Sequence, residues 1–218
     1  MLPHLLVFIS IWLISLFIPE TSVEHSTDSS HTFSEILRRP KTIALFTVGF
    51  LMQVSHGPYY TFYSLYLESH HYTANTIGQL WALGVIAEIG AFLIMHRLFL
   101  KFTLGGLFMA TVILTSVRWL LIGYFIDYFV IIVFAQLLHA VSFGVYHAVA
   151  VHFVYQYFPG RLQGRGQALY GSISFGAGGS VGSLLGGYAW ENVGAETCFL
   201  IAAFIALSIV GIIWRWML

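Results

Sequence analysis

Seven apolar runs set the terms for this chain, at approximately 1–18, 42–67, 74–96, 102–122, 128–156, 167–190 and 195–216. Each comes close to the roughly 20 residues that a helix needs to cross the hydrocarbon core of a bilayer. In lipid the backbone must satisfy its own hydrogen bonds, and a single run does that as a helix. The expected fold is therefore all-α, a polytopic helical membrane protein with about seven transmembrane helices. Composition agrees. Of the 218 residues 58% are hydrophobic and 8% are charged, where soluble domains carry about 25% charged residues.

Nine basic residues balance nine acidic ones, so no basic footprint points to nucleic acid as a partner. Cys198 is the single cysteine, which rules out an intrachain disulfide and any paired-cysteine metal or redox site. Eight of the nine Lys and Arg fall in loops on one side. Arg38, Arg39 and Lys41 precede the second run, Arg97 and Lys101 follow the third, Arg161 and Arg165 precede the sixth, and Arg215 ends the seventh. By the positive-inside rule that side is cytoplasmic, and so is the carboxyl terminus. A multi-pass protein of a bacterial inner membrane is expected, with the lipid bilayer as its surroundings.

The first run has no basic flank and no small-residue cleavage site before Pro19 and Glu20, so it reads as a span and not as a signal peptide. An outward amino terminus without a signal sequence suggests that an amino-terminal part is missing. On this reading 1–18 is the last helix of an amino-terminal bundle, 19–41 is a polar cytoplasmic linker closing in the short amphipathic stretch TFSEILRR, and 42–218 is a carboxyl-terminal six-helix bundle.

The ninth basic residue, Arg118, lies inside the fourth run, and His139 falls near the middle of the fifth. A charge at that depth costs at least about 2.5 to 3.5 kcal/mol on insertion scales, so it persists where it faces protein or a watery cavity. Glu88 sits about 14 residues into the third run, or roughly 21 Å along a helix rising 1.5 Å per residue. A carboxylate there is either paired, with Arg118 as the available partner, or protonated and able to carry protons. Imidazole exchanges a proton near neutral pH and guanidinium does not, so His139 joins Glu88 as a candidate proton group.

These residues have polar and aromatic company at helical spacing. Gln53, His56, Tyr60 and Tyr63 share a face of the second run, Trp81, Gly84 and Glu88 a face of the third, and Gln136, His139, Phe143, Tyr146 and His147 a stripe of the fifth. The tyrosines suit an interfacial belt as well as a substrate wall. His139 and His147 lie on one helix with no facing pair, so no metal site, cofactor or enzymatic centre is expected. The sixth run repeats small residues, Ser174, Gly178, Gly182 and Gly186, at every fourth position, the pattern of a close helix–helix contact.

As a set, HGPYYTFYSLYLE, IGQLWALGVIAEI, SVRWLL, LLHAVSFGVYHA and GRGQALYGSISFG resemble the major facilitator superfamily in its carboxyl-terminal half, in the phenylpropionate-transporter branch near the lactose permease group. The likeness covers about 34–218 and implies helices 6 to 12 of a twelve-helix fold. In lactose permease an Arg late in the ninth helix and a His in the tenth belong to the sugar- and proton-coupling constellation. The motifs SVR and LLH place Arg118 and His139 there, whereas the permease's coupling Glu, three residues beyond that His, is Ser142 here.

The function expected is secondary active transport of a small organic solute by proton symport, with an aromatic acid such as phenylpropionate as one solute and a sugar or nucleoside as alternatives. Arg118 would attract a carboxylate or order the site, Glu88 and His139 would exchange protons, and Gln53, His56, Tyr60, Tyr63, Trp81, Gln136 and Phe143 would line the path. The competing expectation is a non-transporting interaction module, or a half-transporter that meets a separate amino-terminal half through the Gly178, Gly182, Gly186 face.

Overall fold

Helices in this chain begin where a side chain or a proline disposes of the first free amides. The computed structural model describes residues 32–218; the expected span 1–18, and the linker before Thr32, lie outside the described residues. A short helix, α1 (Phe33–Leu37), starts with Thr32 N donating to Glu35 Oε2 at 3.0 Å. α2 (Pro40–Ser69) opens on a proline, whose missing N–H would have found no partner there anyway. Thr73 and Thr103 cap α3 (Ala74–Lys101) and α4 (Leu104–Tyr124), their hydroxyls accepting from Thr76 N at 3.2 Å and Gly106 N at 3.1 Å. α5 spans Phe129–Tyr157, α6 continues through Gln163–Gly171, Ser172–Gly178 and Gly179–Val193, and α7 covers Ala195–Trp216. Gly194, between α6 and α7, holds φ at 82°, a conformation open to a residue without Cβ.

Two of these helices are not α-helical throughout. Ala140–Val145 in α5 and Ser172–Gly178 in α6 wind as π-helix, a form that appears mostly as single turns and often at functional sites.

α3, α4, α5 and α7 are each long and apolar enough to cross a membrane. α2 and α6 are set apart by what they carry: His56, Gly57, Pro58 and several tyrosines in α2, and a glycine-rich, π-interrupted course in α6. These two pack against each other. α2 also packs on α7, α7 on α4, and both α4 and α3 on the π turn of α5. Along α3, Val85, Ile86, Ile89 and Leu93 are exposed.

Small residues determine the α2–α6 contact. A Cβ added at Gly178 would stand 2.7 Å from Phe50 O, at Gly182 2.6 Å from Val54 O, and at Gly186 3.2 Å from Pro58 Cγ. Backbones therefore meet directly, which supplies the van der Waals contact that lipid cannot replace with a hydrophobic drive. Because α2 covers this face within the chain, a separate half could not use it and would need another surface. Gly182→Val is expected to separate the two helices, since the obstacle is backbone and cannot swing away, whereas Gly171→Val meets nothing within 4 Å. Fluorescence-detected size exclusion after heating should show the Gly182 variant aggregating well below wild type and the Gly171 variant close to it; equal behaviour would show that the contact does not hold the two helices together.

The buried residues fall into two apolar clusters with a polar layer between them. Met52, Val112, Ala140 and Tyr146 belong to one cluster, and Tyr59, Trp119, Ile132 and Ala135 to the other. Between these positions along α2, α4 and α5 lie Gln53, Ser55, His56, Thr115, Ser116, Arg118, Gln136 and His139, all buried.

Candidate functional site

Arg118 sits at the centre of that layer, fully buried, and every nitrogen of its guanidinium is engaged. Nε donates to Ala135 O at 2.9 Å, Nη1 to Ser142 Oγ at 3.1 Å and Nη2 to Gln136 Oε1 at 3.0 Å. The Tyr59 ring lies 4.1 Å below the guanidinium carbon and the Trp119 ring 4.8 Å from it. All of these partners are neutral. Among the described residues no carboxylate pairs with Arg118, so a buried positive charge is well solvated by dipoles and left without a counterion.

Tyr59 completes the arrangement from α2. Its hydroxyl donates to Gln136 Oε1 at 3.0 Å, so one amide oxygen gathers a phenol and a guanidinium. Tyr59 and Trp119, at the guanidinium, are members of the site that the sequence does not single out. For Tyr59 a signal exists, since it stands three residues from His56 and four from Tyr63, on the same helical face. Ser142 is the Arg118 partner in the π turn.

Glu88 reaches this layer from α3, with Oε2 3.6 Å from His139 Nε2. It pairs toward His139 and not toward Arg118. Gly144, in the π turn, makes the approach possible: a Cβ there would come within 2.9 Å of Glu88 Cγ. Gly84, one turn earlier on α3, lies over the same imidazole, its notional Cβ 3.4 Å from His139 Cδ2. Among the described residues His139 Nδ1, His56 Nε2 and Gln136 Nε2 are buried without a hydrogen-bond partner, although His56 Nδ1 engages Met52 O at 2.8 Å.

The other expected residues divide. Tyr63 and Trp81 stand behind Tyr59, with ring centroids 4.9 and 4.8 Å from it, and Trp81 Nε1 donates to Ser64 Oγ at 3.0 Å. They buttress Tyr59. Gln53, Tyr60 and Phe143 open instead into a cleft of about 420 Å³ between α2, α5 and α6, which Phe175 and Ser183 help to line. His139, Phe143 and His147 stack in a column, with planes 7° apart in each successive pair. Tyr146, expected on that stripe, points the other way and stacks on Phe108 at 5.1 Å in the apolar core. The π turn changes the angular step, so a stripe drawn at α-helical spacing does not run straight through it.

The model of the MFS_1 like family matches residues 1–201. A probable 3-phenylpropionic acid transporter of Escherichia coli (strain K12) is 29% identical over 161 residues, which is 72% of this chain and 41% of that protein. The chain spans about two fifths of the length of that curated relative. No solved structure matches it.

Proposed function

This chain belongs to the MFS_1 like family, and on that premise we propose that it works in secondary active transport of a small organic anion, an aromatic acid of the phenylpropionate kind, coupled to protons. The observation that carries the reading is Arg118, wholly buried and hydrogen bonded to three neutral acceptors, with no carboxylate beside it among the described residues. A cation left without a counterion at membrane depth favours the arrival of an anion, and electrostatic complementarity of that sort selects charge before it selects shape.

Glu88 and His139, 3.6 Å apart, are the groups through which a proton enters and leaves. Arg118 keeps its charge throughout, while one proton shared between carboxylate and imidazole sets the charge of the layer as the solute binds and departs. The bundle 42–218 forms one wall of the path, in the manner of transporters whose halves rock around a midplane site. Kinship with a transporter named for 3-phenylpropionic acid supports the choice of an aryl acid over a sugar or nucleoside.

The test is uptake of labelled phenylpropionate by proteoliposomes under an inward proton gradient. Accumulation that a protonophore abolishes is the expected result. Uptake of sugars or nucleosides with no response to any carboxylate would overturn the reading.

A further inference from the structure

The cleft lined by Tyr60, Phe143 and Phe175 is aromatic on its walls and polar at two points, Gln53 and Ser183. Tyr60 and Phe175 both meet Phe143 edge-on, at centroid distances of 6.4 and 6.2 Å and interplanar angles of 81° and 75°. A further ring can extend this edge-to-face packing, the geometry aromatic quadrupoles prefer. Its volume of about 420 Å³ falls within the range of small-molecule sites.

The polar points are what make it selective. Gln53 is 4% exposed, lines the cleft, and its amide makes no hydrogen bond among the described residues. A nearly buried amide in that state has a free donor and a free acceptor. Ser183 Oγ accepts from Thr61 Oγ1 at 3.2 Å, which leaves its own proton to give. Neither group carries charge, and no Lys, Arg or His is among the described residues lining the cleft. The matching ligand group is therefore neutral, on an aromatic ring, and able both to donate and to accept: a hydroxyl.

Resting on the anion reading above, we infer that this cleft holds the aryl end of the solute and selects rings that bear a hydroxyl, with Gln53 exchanging hydrogen bonds with that hydroxyl and Ser183 donating to it. An unsubstituted ring would leave Gln53 unpaired or dependent on trapped water. The preference amounts to one net hydrogen bond, about tenfold in affinity.

Calorimetric titration of the protein, as expressed from its own reading frame and held in nanodiscs, tests this with phenylpropionate, its 3- and 4-hydroxyphenyl derivatives, and neutral 3-(4-hydroxyphenyl)propan-1-ol. A hydroxylated acid should bind about tenfold tighter than phenylpropionate, the ratio falling to about one in Gln53→Leu and to an intermediate value in Ser183→Ala. A wild-type ratio near one, or a ratio that Gln53→Leu leaves intact, overturns the inference while the anion reading stands. Should Gln53→Leu fail to fold, the wild-type ratio and its drop in Ser183→Ala decide. If no carboxylate binds but the neutral phenol does, and Gln53→Leu weakens it, the anion reading falls and the cleft assignment survives; if neither binds, both fall.

Discussion

Arg118→Met is expected to leave the protein folded and to lower its affinity for aryl carboxylates by roughly thirtyfold or more. Folding should survive at reduced stability: the substitution removes a buried charge that has no counterion among the described residues, while Ala135 O and Ser142 Oγ lose their donor and Gln136 Oε1 keeps only Tyr59. Binding should suffer because removing one member of a buried, hydrogen-bonded charge pair costs about 2 to 5 kcal/mol, which is roughly thirtyfold to a few thousandfold. Arg118→Lys separates charge from shape. Lysine keeps the cation but cannot hold Ala135 O, Ser142 Oγ and Gln136 Oε1 in a single planar fork. It should therefore bind anions more tightly than the Met variant and more weakly than wild type. Titration with phenylpropionate beside its neutral alcohol distinguishes the two roles. If both ligands weaken equally in Arg118→Met, the residue organises the wall and its charge plays no part in recognition.

The spans and the polar layer are legible in the sequence for the same reason. Long apolar runs force helices, and an Arg, a Glu or a His within such a run stands out against them, so Glu88, Arg118 and His139 are visible without coordinates. What the sequence hides follows from packing. Phe175 in α6 and Phe143 in α5 face each other from two π turns, and no α-helical periodicity encodes a π turn. The room that Gly144 leaves for Glu88 suggests one reason for the first of them. That turn is why Tyr146 lies off the stripe its spacing predicts. Tyr63 and Trp81, which share a face with polar residues, pack their rings against Tyr59, a contact that spacing alone does not reveal. The glycines of α6 announce that two helices meet closely, but only the fold shows that the partner is α2 of the same chain. Tyr59 marks a different limit: it has the right spacing, and nothing in its neighbourhood distinguishes it from the tyrosines on either side.

Glu88→Gln should abolish uphill accumulation and leave exchange of solute across the membrane intact. Glutamine matches the volume of glutamate, so the contact of Glu88 with Gly144 and its approach to His139 at 3.6 Å remain sterically possible. The amide cannot release and take up a proton, so the step that ties solute to the gradient is lost while the binding wall around Arg118 is untouched. With a gradient of one pH unit and no membrane potential, symport of one proton sustains accumulation of at most about tenfold, the factor that about 1.4 kcal/mol provides. Wild-type proteoliposomes should approach that ratio, and the variant should stop near one while exchanging labelled for unlabelled phenylpropionate at a rate close to wild type. Undiminished accumulation in Glu88→Gln would remove the carboxylate from coupling and leave His139 as the remaining candidate in the layer. Loss of exchange together with accumulation would mean that Glu88 serves binding, and the proton route would then have to be sought elsewhere.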